Sequence, residues 1–337
     1  MFFVLYDKNL QALGKRKTYP VQTWNLKRKM LDFDSLEITG FPVEFDVNEA
    51  MFVSLNEDSG KVVYSALSGI KSVQDNVTTI NASDLRTIFN SEVIIDFTQT
   101  FTSVAQLYSY LINALISQND NFLGSVIHTF TIDVSDIVDV EFDSSSIVKE
   151  KAVGNVWETI LGFNAYYNLF LQVDINYINK EFILKIKRQN VNFITIKKED
   201  FNIDLSQKVS TSTNRIVCYD ETFSSKYVYY LLEDNSVIGQ EDLENNLEKL
   251  VYPTKVKIVT GKTLDDAKTN GKKELLKNRY DEKVELDLTT KLGYIFKQAD
   301  FGTIVDIVGY KSLPIGEIKN NSNNKNSIVL GIDKEEL

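Results

Sequence analysis

The chain has 337 residues, of which 43% are hydrophobic and 25% charged, an ordinary composition for a folded protein with a large core. It carries one His and one Cys, so it cannot form an internal disulfide or supply the roughly four N/S ligands of a structural zinc site. Its 47 acidic and 37 basic side chains give a formal net charge of −10. That charge disfavours non-specific binding to nucleic acid, which depends on neutralising phosphates.

No stretch reaches the roughly 18–20 continuous apolar residues of a membrane helix, so no membrane-spanning segment is expected. The apolar start, Met1–Asp7, is short and lacks the charged region and cleavage site of a signal peptide. We therefore expect the chain to be synthesised and folded in a cytoplasm.

Charge is segregated near the start of the chain. Residues 1–30 hold seven basic side chains and one acid, and residues 31–60 hold eight acids and no base. These segments can form two solvated faces of one sheet, whose charges pair weakly. They can also form two oppositely charged surfaces through which copies of the chain pack together.

The first ninety-odd residues are typical of short strands separated by turns. Apolar and polar residues alternate in Ser35–Ile38 and Val43–Val47, and strands are also predicted over Lys61–Ile70 and Val77–Ile80. The segment Asn81–Phe89 is predicted to be one short helix or turn. This spacing of strands and turns favours a small barrel.

Three helices are predicted. In residues 103–117 the apolar positions recur on one helical face, and Ser103 with Gln106 forms a capping box. A short helix begins at Asn155 and stops at Gly162. A third is capped by Thr263 and runs to about residue 280, and Gly271 within it indicates either a close packing contact or a break.

The remaining elements are strands. Hairpins are predicted from residues 169–177 with 181–188, and from 226–232 with 237–238. Further strands are predicted at 191–196, 214–219, 283–288, 301–308 and 327–332. The polar segment 319–326 is predicted to be a mobile loop.

Familiar catalytic motifs are missing. The sequence has no His-Glu-x-x-His, no Gly-x-Ser-x-Gly and neither glycine-rich nucleotide-binding pattern. His128 lies in a strand-like apolar context with no identifiable partner, which favours a structural role. Cys218, in Ile216-Val217-Cys218-Tyr219, has the context of a small buried residue. We predict no catalytic, cofactor-binding or metal-binding residues.

Three weaker alternatives remain open. Acid pairs such as Glu141 with Asp143, or Asp265 with Asp266, could serve glycoside hydrolysis. The acidic turn 133–143 could bind calcium, although the sequence has no Asp-x-Asp-x-Asp-Gly loop. The aromatic cluster of Tyr227, Tyr229 and Tyr230 could bind sugar, although aromatic residues on strands usually pack against neighbouring strands.

The order of elements resembles the hub module of long-tailed bacteriophages, which is the baseplate hub or the N-terminal module of the tail-associated lysin. The first half of that resemblance lies in Gly60–Ile70 followed by Val77–Leu85. The second half lies in Asn214–Tyr219, Lys226–Leu232, Tyr252–Lys255 before the third helix, and the closing strand Gly302–Val308. The likeness covers nearly the whole chain and is a pattern of strands and turns.

The resemblance implies a mixed α+β, mainly β fold with two small β-barrels joined by a connecting domain of helices and hairpins. On this division residues 1–97 form the first barrel and 98–190 the connecting domain. Residues 191–219 begin the second barrel, 220–280 are an insertion that packs with the connecting domain, and 281–337 complete the second barrel.

The resemblance also implies a non-enzymatic structural virion protein, located in the virion tail. Three chains would close into a ring that adapts a six-fold tail tube to a three-fold tip and possesses a channel for DNA. The implied partners are two further copies, distal tail and tail tube proteins, tip or fibre proteins, and DNA in transit. The resemblance implies no cofactor. Related chains often carry a C-terminal peptidoglycan hydrolase or receptor-binding extension. Here we expect any lytic activity to reside in another protein or in a longer parent chain. The alternatives are a peptidoglycan hydrolase domain and a carbohydrate- or receptor-binding tail module.

Overall fold

A computed structural model describes residues 1–44, 49–74, 77–118, 129–189, 192–197, 213–233, 236–250, 254–277, 284–287, 300–301, 303–308, 312–323 and 326–331. Strands dominate this part of the chain, which confirms the predicted mixed α+β, mainly β class. Its α-helices are α1 (Val104–Gln118), α2 (Val156–Tyr167) and α3 (Leu264–Lys277). None of the helices in these ranges is long and apolar enough to cross a bilayer.

The first strands close into a ring. Its six members are β1 (Phe2–Tyr6), β2 (Tyr19–Lys29), β3 (Ser35–Gly40), β4 (Phe52–Asn56), β5 (Val62–Leu67) and β7 (Val77–Asp84), with β6 (Ile70–Gln74) pairing alongside β7. Pairing runs β1-β4-β5-β7-β3-β2 and returns to β1 through Phe2↔Pro20 and Phe3↔Tyr19. The ring corresponds to the strand-rich first module that the turn spacing predicts.

Alternate residues of these strands point inward and form a separate core. Phe3, Leu5, Ile38, Leu55 and Ile80 are all 0% exposed. Full burial of such a side chain contributes about 1.5–3 kcal/mol, so the period-two pattern stabilises the ring from within. The ring closes tightly at Gly40, where a Cβ would lie 2.7 Å from the carbonyl oxygen of Pro20.

A second strand module continues from the ring. It contains β13 (Asn192–Lys197), β18 (Val284–Asp287), β19 (Thr303–Val308), β20 (Ser312–Asn321) and β21 (Ser327–Leu330). Strand β20 pairs antiparallel with β2 from Asn25↔Asn321 to Lys29↔Glu317. The two modules therefore share one hydrogen-bonded sheet, although β2 and β20 are far apart along the chain.

Helices and two small sheets pack beside the strand modules. Strand β8 (Glu92–Asp96) pairs with β10 (Lys151–Asn155), and β12 (Glu181–Arg188) lies between β11 (Leu169–Asn176) and β9 (Thr129–Asp133). The apolar stripe of α1 is fully buried at Leu107, Leu111 and Leu115. The structure thus confirms both the helix predicted in 103–117 and the hairpin of β11 and β12.

A four-stranded sheet and α3 form a further unit. Its strand order is β16 (Val237–Gly239), β15 (Lys226–Leu231), β14 (Arg215–Asp220) and β17 (Val256–Gly261). The predicted hairpin is present, since Tyr230 pairs with Ile238. Helix α3 packs against one face, and a Cβ on Gly271 would overlap the Cys218 sulfur. Gly271 therefore marks a close packing contact.

Several predicted boundaries differ from the structure. Helix α2 starts after the Asn155 cap as predicted, but continues past Gly162 to Tyr167, because Phe163 and Ala165 are buried in the core. It ends at Asn168, whose φ of 56° is left-handed. Within Asn81–Phe89 the chain stays in β7 until Asp84, and a 3₁₀ helix follows from Leu85.

Strand pairing changes other expectations. The sequence places β14 in the second barrel, yet this strand pairs with β15 and β17. The predicted loop 319–326 begins inside β20, which extends to Asn321, and residues 324–325 lie outside the described ranges. Val43 and Glu44 belong to no strand, and residues 45–47 of that prediction, like 278–280 after α3, lie outside the described ranges.

Candidate functional site

A buried charge cluster lies where the strand ring meets the connecting helices. Arg86, just after β7, donates to Asp84 through Nε at 2.6 Å and to Asp34 through Nη2 at 2.6 Å. Tyr64 donates its hydroxyl to Asp34 at 2.8 Å. The side chains of Arg86, Asp34 and Asp84 are 5%, 8% and 5% exposed. Their charges are thus satisfied inside the protein and not by solvent.

The guanidinium of Arg86 also fastens the turn between β2 and β3. It donates to the carbonyl oxygens of Lys29 at 3.0 Å, Met30 at 3.3 Å and Asp32 at 2.6 Å. Three backbone acceptors and two carboxylates use the planar fork of donors that distinguishes Arg from Lys. The cluster therefore fixes three segments of the ring relative to one another.

Two carboxylates share this single cation, and the pKa of Asp34 is shifted. Burial, with the charge of Asp84 nearby, raises the pKa of Asp34 to about 6, against the opposing attraction of Arg86. Burial acts against the charged form of Arg86, but Asp34 and Asp84 together raise its pKa above the usual value. The guanidinium therefore stays charged, while Asp34 is the group that responds to mild acid.

Aromatic stacking joins the ring to the connecting elements. Tyr6 of β1 stacks on Tyr177 with ring centroids 3.9 Å apart, and Tyr177 donates its hydroxyl to Ser65 at 3.1 Å. Phe33 stacks on Trp157 of α2 at 4.9 Å. Such pairs add about 0.5–1.5 kcal/mol each beyond their buried area, so the junction holds the modules in a fixed orientation.

A cleft of about 410 Å³ opens beside this junction, between β5, β11 and the segment at Asp300. Its charged lining is mostly paired within the chain: Arg28 with Asp300 at 3.4 Å, and Asp174 with Lys185 at 2.9 Å. Phe301 also lies under Arg28, 5.0 Å from the guanidinium carbon to the ring centroid. The charged side chains that line this cleft therefore serve mainly to hold the modules together.

The single cysteine is a packing residue. Cys218 is 0% exposed and lies beneath α3, and burial raises the pKa of its thiol to about 11. A thiol of that pKa is almost entirely protonated at neutral pH and is a poor nucleophile. This agrees with the predicted core role of Cys218. His128 lies outside the described residues.

One member of each candidate acid pair is used in local structure. Asp143 caps a short 3₁₀ helix and accepts hydrogen bonds from Tyr166 and Ser145. Although burial acts in the other direction, these bonds hold the pKa of Asp143 below its usual value, the opposite of a general acid. Asp266 and Thr263 form the reciprocal capping box of α3, at 2.9 and 3.1 Å.

The other sequence candidates are dispersed. Tyr227 and Tyr229 lie on the α3 face of their sheet with ring centroids 4.9 Å apart, whereas Tyr230 lies on the other face beside Arg215. The three tyrosines therefore form no single sugar-stacking surface. Among the described residues, no group of three His, Cys, Asp or Glu side chains could hold a metal ion.

The charged segments at the start of the chain pair largely with other parts of the same chain. Lys27 pairs with Glu317 at 3.1 Å, and Arg16 with Glu44 at 3.4 Å. Arg28 forms an ion pair with Asp300, and Asp34 forms one with Arg86. Part of the charge segregated in the sequence is therefore paired within one chain.

Sequence reasoning misses the Arg86 cluster. Its partner Asp34 is 52 residues away, and the local pattern predicts only a helix or turn. One signal is present in the sequence: Arg86 is the only charged residue in the segment Leu85–Phe89. A charge inside an apolar run indicates either an exposed position or a buried partner.

Comparisons with known proteins support the shape of the whole chain. No protein-family model and no curated protein sequence matches it. Among solved structures, a prophage tail protein from Listeria monocytogenes EGD-e superposes with a TM-score of 0.52 and 11% identity, over 99% of this chain and 95% of that one.

Two further structures superpose less well. A chain of the phage P2 baseplate in its activated conformation has a TM-score of 0.43 and 12% identity, covering 98% of both chains. An Escherichia coli component of the type VI secretion system has a TM-score of 0.43 and 7% identity, covering 94% of this chain and 74% of that one. The Listeria likeness confirms the predicted resemblance at the level of fold: over almost its whole length, this chain is folded as a phage tail protein is.

Proposed function

We propose that this chain is a structural component of a phage tail and acts as its trimeric hub. In this role it lies at the distal end of the tail and adapts a six-fold tube to a three-fold tip. The observation that carries the proposal is the fold shared with a prophage tail protein over 99% of this chain. The partners proposed are two further copies, distal tail and tube proteins, and tip or fibre proteins.

The arrangement of the modules supports this role. One chain carries a ring of six strands and a second strand module, joined through β2 and β20. Three such chains would bring six strand modules into one ring, which matches six-fold symmetry above and three-fold symmetry below. We further propose that this ring surrounds a passage for DNA. We also propose that two barrels, a connecting domain and an insertion describe its parts, with β14 assigned to the sheet of the insertion.

The chemistry of the candidate residues supports a non-enzymatic role. Cys218 is buried with a raised pKa, and Asp143 and Asp266 are engaged in caps. In each case the side chain contributes to packing or to a helix end. The buried junction at Arg86, which fastens three segments of the ring, suits a structural part.

Native mass spectrometry of the purified chain tests the trimer. The chain mass is 38.5 kDa, so a closed ring has three times that mass. The expected spectrum contains the three-chain species, increasing with concentration. A single-chain mass at every concentration would argue against self-assembly. Added cell wall should release no muropeptides, and any release lost on Asp143→Asn would favour the hydrolase alternative.

A further inference from the structure

The sheet of β14–β17 and α3 have an apolar core of their own. We call these five elements the insertion unit, because they lie between β13 and β18 along the chain. Ile216 of β14, Leu231 of β15, and Ala267 and Leu275 of α3 are buried in this core. No described residue of the insertion unit belongs to either of the two other apolar cores. The unit is therefore held together from within, and not by a shared core.

Two lysines of α3 reach from the insertion unit to α2. Lys272 donates from Nζ to the hydroxyl of Tyr166 at 3.1 Å, and the same Nζ lies 4.7 Å from the centroid of the Tyr166 ring. The Nζ of Lys273 lies 5.3 Å from the centroid of the Phe163 ring. Contacts of a cation with an aromatic ring stabilise less than full burial of a large apolar side chain does. These contacts therefore join α3 to α2 weakly.

The end of α2 holds the Lys272 ammonium in a polar network. Tyr166 donates its hydroxyl to Asp143, and the hydroxyl of Ser145 lies 2.9 Å from that of Tyr166. The Asp143 carboxylate is 4.0 Å from Lys272 Nζ. The side chains of Lys272 and Asp143 are 33% and 45% exposed, so solvent screens their attraction. We call Lys272, Tyr166 and Asp143 the latch; water can replace each of its contacts.

Lys268 provides a comparison within the same helix. It lies one turn before Lys272, with its Nζ 4.7 Å from the centroid of the Tyr227 ring and 3.5 Å from Asp265. Its side chain is 32% exposed, which is close to the exposure of Lys272. Both partners of Lys268, however, belong to the insertion unit. The two lysines therefore make similar contacts, but those of Lys272 alone cross from the insertion unit to α2.

We propose that the insertion unit is a movable module that the latch holds against α2. Breaking the latch lets the unit swing as a rigid body, while its own core and its hydrogen-bonded sheet stay intact. Polar interfaces of modest size between modules permit such motion, whereas large apolar interfaces prevent it. The junction at Arg86 has the opposite character, because its charges are buried and aromatic rings stack beside it. This movement goes beyond the proposed hub function and does not depend on it.

Pulsed electron paramagnetic resonance on the full chain tests the movement. Spin labels on Glu221→Cys and Ile178→Cys report the distance between the insertion unit and the β11–β12 turn, and both native residues are exposed. Cys218 is 0% exposed, so the label should not modify it. We expect one dominant distance with the native latch. Lys272→Met should add a second population, because losing the hydrogen bond and the ring contact lowers the ratio of latched to open molecules about 10-fold.

Lys268→Met is the matched control and should keep the distance distribution of the native latch. Tyr166→Phe keeps the ring but removes the hydroxyl, and should give a smaller open population than Lys272→Met. An unchanged distribution in Lys272→Met, or equal broadening in Lys268→Met, would overturn the inference. Modification of Cys218 in Lys272→Met would also overturn it, because the unit would then have unfolded instead of moved. The hub proposal is judged separately, by locating the chain in tails.

Discussion

At the Arg86 guanidinium, two buried carboxylates and three backbone carbonyls converge on one cation. Burying an ion pair gives little net stability, but removing one partner leaves the others buried without water or a counter-charge. The cluster therefore acts as a lock on the geometry of the ring. Disrupting the cluster should therefore lower the free energy of unfolding far more than disrupting a surface ion pair does.

Replacing Arg86 tests this lock. Arg86→Met should lower the free energy of unfolding by about 3–5 kcal/mol, because Asp34 and Asp84 lose their common partner in a buried site. Arg188→Met removes an ion pair with Asp139, whose side chain is 78% exposed, and should cost about 0–1 kcal/mol. Urea denaturation measures both, and equal losses would contradict the buried lock.

The raised pKa of Asp34 predicts a pH dependence with a definite sign. Its pKa is about 6 in the folded protein against an ordinary value of 3.8, so the folded state holds an extra proton between these values. The stabilising contribution of that proton is complete below about pH 3.8 and is lost as the pH rises through about 6.

Asp34→Asn removes this titration. The difference in unfolding free energy between wild type and variant should therefore shift against the wild type as the pH rises from about 4 to about 6, a window set by the pKa of Asp34. Comparing the two proteins cancels the contributions of titrating groups that are distant from the cluster. Denaturation at several pH values measures it, and a constant difference across the window would refute the assignment.

At the scale of elements, α3 approaches its sheet through a glycine. A Cβ at Gly271 would overlap the Cys218 sulfur and lie 3.0 Å from Ile216 Cγ2. The middle of α2 carries another glycine, Gly162, where an added Cβ would meet no packing neighbour within 4 Å. Both glycines lie inside an α-helix, but Gly271 is closely packed against a neighbouring sheet and Gly162 is not.

These glycines make a matched pair for substitution. Gly271→Ala should destabilise the protein by about 1–3 kcal/mol through overpacking, and Cys218→Ala in the same chain should recover part of that loss. Gly162→Ala should be neutral or stabilise by up to about 1 kcal/mol, because alanine favours the helix. Thermal melting compares them, and a stabilising Gly271→Ala would contradict the close contact.

Elements governed by local pattern are predictable from the sequence. The stripe of α1, the caps at Asn155 and Thr263 and the hairpin of β11 and β12 each depend on residues a few positions apart. The end of α2 is not, because burial of Phe163 overrides the stop signal of Gly162. The parallel pairing of β14 with β17 is also hidden, since it joins strands separated by a hairpin.

At the scale of the whole molecule, pairing between distant segments decides the architecture. The sequence order favours two strand-rich ends with helices between them, and that arrangement is observed. The sheet shared through β2 and β20, and the contact of Arg86 with Asp34, join segments that no local pattern relates. The result is one joined structure in which the second strand module cannot move freely relative to the ring.

Locating the chain in assembled particles tests the hub proposal most directly. The measurement is electron microscopy of intact tails decorated with antibody against this chain. The expected result is label at the distal end of the tail, over a ring that contains three copies. Label along the tube or on the capsid, or particles that lack the chain, would contradict the proposal.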